Sequence, residues 1–291
     1  MTTVDAAVAP AHLAAELGVR ECDLPALRSL AAASLPAADD PPLRVRDLIH
    51  GRLRTAVCDD SLGPRELRAA RPRAMERAVA GLPLVPLPDP AELSDVSLVD
   101  AIEQRRSGTT FGSAPVPLTA LSALLNGAAG VRDYRPGYNL RRFPFRRAPS
   151  AGGLAPVDIY VVASAVDGLD RGLYYYQPSA HRLARVDDGL MRGKVADLSI
   201  GAHWLFYAPV VLLLAVSMPR VEWKYGVRAY RFVHVDLGVL TQNLYLVGTA
   251  LNLVTCAVGA FDDDAANELV RLDGRDEFVS LMFACGPPAG R

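Results

Sequence analysis

The stretch Ala208-Pro-Val-Val-Leu-Leu-Leu-Ala-Val216 is a short apolar run, and the dipeptide Lys224-Tyr225 follows it closely. A run of this length and composition predicts a buried strand. After the dipeptide comes a nearly all-apolar segment, which predicts a helix from about Asp236 to Leu251. Lys224 and Tyr225 would therefore place an amine and a phenol, both capable of proton transfer, at the edge of the core.

The backbone conformation at Lys224-Tyr225 decides whether both side chains can reach one site. In a regular strand they would point to opposite faces. Pro219 and Gly226 flank the dipeptide and favour a turn. Both side chains would reach one site if the segment is a turn or an irregular loop, and the alternative is a lysine that extends into solvent beside a packed tyrosine.

The remaining patterns predict helices packed around a mainly antiparallel sheet, an α+β fold. A turn signal between two of the strands, residues 172–176 and 183–186, predicts a hairpin. No Gly-x-Gly-x-x-Gly follows the first strand, which disfavours a Rossmann nucleotide site. The other predicted elements are helices at 97–105 and 117–125 and strands at 157–162, 209–216, 253–258 and 278–285.

Charge and composition restrict the class of protein. The chain has 291 residues, 51% of them hydrophobic, and a formal net charge of −1. Nothing in this balance draws it to nucleic acid or to an anionic membrane. Six arginines nevertheless cluster in residues 132–147, either as a solvated loop or as a contact for an anion or an acidic peptide: Arg132, Arg135, Arg141, Arg142, Arg146 and Arg147.

The cysteines and histidines predict no metal site. Cys22, Cys58, Cys256 and Cys285 have no Cys-x-x-Cys spacing, and the last two lie in apolar runs, which predicts buried free thiols. His181 and His203 lack a ligand pattern. No secretory signal or membrane-spanning run is evident, so we expect a soluble cytoplasmic protein.

The first 95 residues predict a separate, mostly helical extension. Prolines interrupt it at residues 36–42 and again at 84–90, and the second of these segments is the predicted domain boundary. We predict that residues 1–95 contact a peptide or a partner protein and that residues 96–291 form the main domain.

Four motifs occur in order between residues 97 and 286. They are Arg105-Arg-Ser…Phe111; Pro149-Ser-Ala-Gly-Gly153; Lys224-Tyr225 with Tyr230–Asp236 and Gln242-Asn-Leu-Tyr245; and Val258-Gly-Ala-Phe-Asp262. In this order they resemble the nitroreductase-fold flavoproteins. The Lys-Tyr pair resembles the SagB-type branch, the azoline dehydrogenases of ribosomal peptide maturation.

The resemblance implies a homodimer that binds FMN at the subunit interface. A forked cation and hydroxyls would suit the phosphate and ribityl chain, and small residues would let the backbone approach the isoalloxazine ring. Thr109 stands where the wider pattern has a second basic residue, so Arg147 or Arg291 would complete the phosphate contact. The implied cofactor-binding residues are Arg105, Arg106, Ser107, Thr109, Arg147, Pro149, Ser150, Gly152, Asn243, Val258, Gly259 and Ala260.

The resemblance also implies a reaction. A peptide thiazoline or oxazoline would lose a hydride to flavin N5 and a carbon-bound proton to Lys224, while Tyr225 relays the proton or polarises the ring nitrogen. Oxygen would reoxidise the flavin, and the expected partners are an azoline-containing precursor peptide and a cyclodehydratase. Two alternatives remain open: an NAD(P)H-dependent reductase of nitro, quinone or dehydroamino-acid compounds, and a non-catalytic scaffold subunit.

Overall fold

The computed structural model describes residues 74–90 and 96–290. In chain order the helices are α1 (Leu98–Gln104), α2 (Leu118–Ala129), α3 (Arg192–Leu198), α4 (Pro219–Tyr225), α5 (Ala229–Ala250) and α6 (Asp263–Val270). The strands are β1 (Leu84–Pro86), β2 (Val116–Pro117), β3 (Val131–Gly137), β4 (Leu140–Arg146), β5 (Val157–Ala163), β6 (Val166–Asp167), β7 (Gly172–Gln177), β8 (Arg182–Asp188), β9 (Val210–Ser217), β10 (Val254–Val258) and β11 (Glu277–Gly286).

Seven strands form one sheet in the order β1-β8-β7-β5-β9-β11-β10. Every neighbouring pair in this sheet is antiparallel. Two small units stand apart from it, the parallel pair β2-β6 and the antiparallel hairpin β3-β4. The predicted α+β fold with a mainly antiparallel sheet is therefore confirmed.

Strand β9 shows why the apolar run is continuous. Its residues are all buried, and it lies between β5 and β11. Val210, Leu212 and Leu214 join one core cluster, which also contains residues of α2 and α5. The alternate residues, among them Leu213, join a second cluster with residues of α3 and α6. Because side chains alternate along a strand, a sheet covered on both faces needs apolar residues at every position.

The structure corrects two predictions near Lys224. The dipeptide lies at the end of helix α4 and not in an irregular loop; Pro219 occupies the first turn, where its missing N–H costs no hydrogen bond. Gly226 follows with a positive φ of 51° and ends the helix. The long helix begins at Ala229, seven residues before the predicted start near Asp236, because polar residues on its outer face mask the period.

Other segments also differ from their predicted structure. Residues 84–86 of the predicted linker form the edge strand β1, which pairs with β8. The role predicted for residues 1–95 stays a prediction, because residues 1–73 and 91–95 lie outside the described part. The arginine cluster forms the hairpin β3-β4 and not a loop. His181, for which no metal-ligand pattern is predicted, contacts Ser122 Oγ (2.7 Å) and Tyr176 Oη (3.0 Å), and burial lowers its pKa.

Helix α1 keeps its apolar residues outside the core. The helical period places Leu98, Ala101 and Ile102 on one face of α1, but only Ala101 is buried. Leu98, Val99 and Ile102 are 67%, 64% and 53% exposed. The described chain therefore leaves an apolar surface on α1 without a covering element.

The described cysteines form no disulfide, and the described helices are unsuited to crossing a membrane. Cys256 and Cys285 are both free, and Cys285 is fully buried, which raises the pKa of its thiol to about 12. Cys22 and Cys58 lie outside the described residues. Among residues 74–90 and 96–290, none of the helices has the length and apolar character needed to cross a bilayer.

Candidate active site

Lys224 and Tyr225 converge on the segment Pro149–Gly153. A methyl group built on the α-carbon of Gly152 would lie 2.8 Å from Lys224 Nζ and 2.8 Å from Tyr225 Oη. It would also lie 2.7 Å from Tyr138 Oη. An amine and two phenols therefore surround one glycine, which has room for no side chain.

Tyr138 connects the amine to this glycine. Lys224 Nζ donates a hydrogen bond to Tyr138 Oη (2.7 Å), and Tyr138 Oη donates to the carbonyl of Gly152 (2.6 Å). The ammonium also lies 4.9 Å from the centre of the Tyr138 ring and 5.1 Å from that of Tyr225. These contacts hold the amine between two aromatic faces, which favour a nearby cation.

The hairpin β3-β4 brings Tyr138 to this position. Tyr138 and Asn139 form its two-residue turn, with φ angles of 48° and 59°. Left-handed turns of this kind match the twist of the two strands. The Tyr138 ring packs against Phe143 (5.0 Å between centroids) and edge-on against Trp223 of α4 (5.7 Å). Hairpin and helix are thus packed together at the site.

An ion pair fixes the start of helix α4. Arg220 lies in the first turn of the helix, is 2% exposed, and contacts both carboxylate oxygens of Asp158 on β5 at 2.9 and 2.6 Å. Its guanidinium also donates to the carbonyl of Ala155 (3.3 Å) and, through Nε, to that of Ala74 (3.1 Å). A bidentate pair of this kind fixes orientation as well as distance.

The segment Pro149–Gly153 is held by side chains on both sides. Ser150 Oγ accepts a hydrogen bond from the Ala155 N–H (2.9 Å). The Ala151 N–H donates to both carboxylate oxygens of Asp236 on α5, at 3.1 and 3.0 Å. Burial raises the pKa of Asp236 to about 6, and the N–H of Ala151 opposes this shift. Pro149, Ser150 and Asp236 border one cleft together with Arg146, Tyr176 and Leu240.

A second group of predicted residues surrounds Tyr245. Ser107 Oγ lies 3.1 Å from Tyr245 Oη, which also accepts a hydrogen bond from the Ala257 N–H (2.8 Å). The guanidinium of Arg105 lies 5.3 Å from the centre of the same ring. The loop after α1 is attached to β10 because the Gly108 N–H donates to the carbonyl of Thr255 (2.9 Å). A cation, a hydroxyl and a phenol suit an anionic, oxygen-rich ligand.

Arg106 and Thr109 are close in sequence to Ser107. Arg106 donates to the carbonyls of Glu103 and Arg105 and so caps the end of α1. Thr109 is exposed. Neither of them has a hydrogen bond to Ser107 or Tyr245 among those the structure describes.

Arg147 and Asn243 are placed by contacts with helix α2 and the residue that ends it. The Arg147 N–H donates to the carbonyl of Gly130 (2.9 Å), and its side chain is exposed. Asn243 Nδ2 donates to the carbonyl of Ala128 (3.4 Å), so it joins α5 to α2. Arg291, the other residue considered for the phosphate, lies outside the described residues.

Val258, Gly259 and Ala260 follow one another at the end of β10. Val258 is buried, whereas Gly259 and Ala260 are exposed. The carbonyl of Ala260 accepts a hydrogen bond from the Ile200 N–H (2.9 Å), which fixes this turn against the residues after α3. A β-carbon added to Gly259 would lie 3.7 Å from Leu281 Cδ1, an ordinary contact.

Helix α5 separates the two groups. Asp236 contacts the first group and Tyr245 belongs to the second, nine residues further along the helix. Nine residues correspond to about 13.5 Å along the helix axis and to half a turn around it. The predicted residues therefore form two groups along α5, one beside Asp236 and one beside Tyr245, which we call the two half-sites.

Three residues of the half-sites were not assigned a role from the sequence. Asp236 and Tyr245 are the last residues of two quoted motifs, so position relative to the motif could have identified them. Tyr138 lies in no motif, and only the hairpin brings it to Lys224. Within residues 74–90 and 96–290, no group of three or more His, Cys, Asp or Glu side chains is arranged to hold a metal ion.

Comparison with known proteins identifies relatives. Residues 102–287 match the family described as Nitroreductase family. A nitroreductase-type protein of Methanocaldococcus jannaschii is 35% identical over 202 residues, covering 69% of this chain and 95% of that protein. The trifolitoxin-processing protein TfxB of Rhizobium leguminosarum bv. trifolii is 28% identical over 201 residues, 61% of this chain and 50% of TfxB.

A solved structure shares the fold. A nitroreductase-type protein from Anabaena variabilis superposes with a TM-score of 0.64 at 23% identity, covering 86% of this chain and 49% of that chain. This chain thus spans about half the length of TfxB and of the Anabaena protein.

Proposed function

Because the chain belongs to the nitroreductase family, a family of flavin-dependent oxidoreductases, we propose that it is an FMN-dependent azoline dehydrogenase. It would oxidise peptide thiazolines or oxazolines to thiazoles or oxazoles in the maturation of a ribosomal peptide. The observation that carries the proposal is the contact of the Lys224 amine with Gly152 through Tyr138. A proton-transfer group then lies beside the segment that is proposed to contact the flavin.

The name of one relative supports a peptide substrate. TfxB is a trifolitoxin-processing protein, and its similarity covers 61% of this chain. By analogy, we propose an azoline-containing precursor peptide as substrate and a cyclodehydratase as partner, in the cytoplasm. The cyclodehydratase would supply the azoline that this chain consumes.

The two half-sites fit the two ends of FMN. Arg105 and Ser107 would hold the phosphate and ribityl chain, because they offer a forked cation and a hydroxyl. Gly152 and the backbone of Gly259 would lie against the ring, where a side chain would intrude. When bound, FMN supplies the two-electron chemistry: it accepts a hydride and returns the electrons to oxygen.

A homodimer would join the half-sites. Along α5 they lie about 13.5 Å apart, and a second copy would bring its own half-site to the same ligand. The exposed apolar residues Leu98, Val99 and Ile102 precede Arg105 on α1. A second copy covering these residues would bury them and would bring its own half-sites to the same interface.

The protein residues would manage the proton. Lys224 would accept the carbon-bound proton of the azoline. Tyr138 and Gly152 fix the position of that amine through the two hydrogen bonds described above. Tyr225, whose hydroxyl also borders Gly152, would donate a hydrogen bond to the ring nitrogen.

Mass spectrometry tests the proposal directly. Purified protein loaded with FMN is incubated under air with a cyclodehydrated peptide. The proposal expects each azoline to lose two mass units, and an unchanged peptide mass would contradict it.

The M. jannaschii relative favours the second candidate, a reductase that uses NAD(P)H, because its name places it among the nitroreductases. Rapid loss of flavin colour with NADPH, followed by reduction of a nitro compound or quinone, would support that function. The two activities use different electron donors, so the same preparation distinguishes them.

A further inference from the structure

The hairpin β3-β4 and the residue after it concentrate positive charge in a chain that is otherwise acidic. Residues 131–147 contain six arginines and one aspartate, a formal charge of +5, whereas the whole chain has a formal charge of −1. The rest of the chain therefore carries −6. A local excess of this size on one element attracts an anionic partner and orients its approach.

Most of these arginines are available to a partner. Arg132 and Arg135 share one carboxylate, that of Asp133, and their side chains remain 56% and 64% exposed. Arg141 and Arg142 are exposed and pair with no carboxylate of residues 74–90 or 96–290. Arg146 is different, because it is buried against Glu76 (2.8 Å) and anchors the hairpin.

The hairpin has a fixed position. Phe143 is fully buried and packs edge-on against Phe145 (5.2 Å between centroids). Glu76, which holds Arg146, also accepts hydrogen bonds from the Ser179 N–H (2.8 Å) and Ser179 Oγ (2.6 Å). The guanidinium of Arg142 lies 4.6 Å from the centre of the Tyr134 ring. The exposed arginines therefore lie on an anchored element, so their backbone loses little conformational entropy when a partner binds.

The same hairpin reaches the candidate active site. Its turn residue Tyr138 accepts the hydrogen bond from Lys224. Arg141 and Arg142 follow Tyr138 by three and four residues, so their α-carbons lie at most about 10 to 14 Å from that of Tyr138. A molecule that reaches Lys224 with one part can therefore touch these arginines with a part only a few extended residues away.

We propose that the exposed arginines of the hairpin β3-β4 bind an acidic segment of the peptide substrate, a few residues from the ring that is oxidised. The inference rests on the proposed function for its choice of a peptide. Glutamate or aspartate side chains of an extended segment would pair with Arg141 and Arg142, and the charge of the hairpin would hold the segment beside Lys224.

Binding of labelled peptides without an azoline tests this surface alone. One peptide carries a run of glutamates, and the other has glutamines at the same positions. The wild-type protein should bind the glutamate peptide about tenfold more tightly or better, and added salt should reduce the difference. Equal binding of the two peptides would overturn the inference, as would tighter binding of a single-stranded oligodeoxynucleotide.

Charge reversal locates the surface. Arg141→Glu with Arg142→Glu should remove the preference for glutamate, whereas Arg171→Glu with Arg275→Glu, a matched change at two exposed arginines elsewhere, should keep it. Retention of the preference by the hairpin variant would contradict the assignment.

Kinetics separate a failed inference from a failed function. On a short, uncharged azoline substrate the hairpin variant should keep the wild-type kcat, which also shows that it is folded. On an azoline peptide with an acidic flank its KM should rise about tenfold. If neither the wild type nor the hairpin variant oxidises an azoline, the proposed function is wrong, and the peptide-binding experiment alone then decides whether the arginines bind an acidic peptide. Normal oxidation without any preference for the acidic flank overturns the surface alone.

Discussion

Gly152 is the residue on which the first half-site depends. Its backbone has a φ of 62°. The polar ends of Lys224, Tyr225 and Tyr138 lie within 2.8 Å of the position that a β-carbon on Gly152 would occupy. A side chain here would meet two separate obstacles, the backbone conformation and the three polar groups. Another glycine of the chain, Gly168, has the positive φ without crowding neighbours, so it tests the effect of backbone conformation alone.

Gly152→Ala should reduce azoline oxidation about a hundredfold, because the new methyl group displaces the amine from its position. Gly168 is the matched control: it is exposed, has a φ of 77° and has nothing within 4 Å of an added β-carbon. Gly168→Ala should lower the melting temperature slightly and leave kcat unchanged. Equal kcat values for the two variants would show that space at Gly152 is unimportant.

Asp236 makes stability depend on pH. Its pKa is raised to about 6 in the folded protein, above the ordinary carboxyl value of about 4. The folded state therefore binds a proton that the unfolded chain releases between these two values. The free energy of unfolding should fall as the pH rises through this window and should become constant above it.

Asp236→Asn keeps an acceptor for the Ala151 N–H and carries no charge at any pH. Between pH 5 and pH 8 the wild-type protein should lose about 1 kcal/mol more unfolding free energy than the variant. Urea denaturation at both pH values measures this difference. Asp197→Asn, a change at an exposed carboxyl, should follow the wild type, and the same behaviour from Asp236→Asn would refute the assignment.

At the scale of elements, helix α4 is positioned by its first turn and acts through its last. Arg220 binds Asp158 on β5 through both carboxylate oxygens, while Lys224 and Tyr225 at the other end face Gly152. The ion pair is nearly inaccessible, with side-chain exposures of 3% and 11%. Removing one partner leaves a buried charge without compensation, which is more costly than losing a surface pair.

Arg220→Ala should lower the free energy of unfolding by about 3 to 5 kcal/mol. Denaturant titration measures the loss, and azoline oxidation should fall with it because α4 is no longer fixed to β5. Arg135→Ala, which removes a pair with Asp133 made by a side chain that is 64% exposed, should have little effect on stability. Similar losses from both variants would mean that burial of the Arg220 pair has no special role.

The sequence predicts elements well where one period dominates. The continuous burial of β9 and the hairpin β7-β8 follow from local patterns, and the sequence predicts both. The hairpin β3-β4 was missed because its arginines mask the alternation and its left-handed turn uses Tyr138 and Asn139 instead of glycine. Local sequence also does not specify which side chains meet across the fold, so the contact of Tyr138 with Lys224 could not be predicted.

For the whole molecule, the two half-sites and the uncovered face of α1 lead to the same expectation. The motifs predicted the family, because their order along the chain is read without knowing any distance. They did not predict that one chain separates the groups around Gly152 and Tyr245, since that separation arises from the length of α5. We propose that a second copy completes the cofactor site.

Light scattering tests this expectation. The wild-type protein loaded with FMN should have twice the 31.2 kDa mass of one chain. Leu98→Asp with Ile102→Asp should halve that mass and release the flavin, because charges would oppose burial of the α1 surface. Leu190→Asp, at another exposed leucine, should remain dimeric. A wild-type monomer with a full complement of flavin would exclude the two-subunit site.

Anaerobic mixing of the flavin-loaded protein with an azoline peptide measures the proposed proton transfer most directly. Lys224→Ala should keep its yellow colour at rest and should bleach at least about a hundredfold more slowly than the wild type. Lys194→Ala, which removes the other lysine of the chain, should bleach at the wild-type rate. If Lys224→Ala also bleaches at the wild-type rate, the amine beside Gly152 does not take the proton.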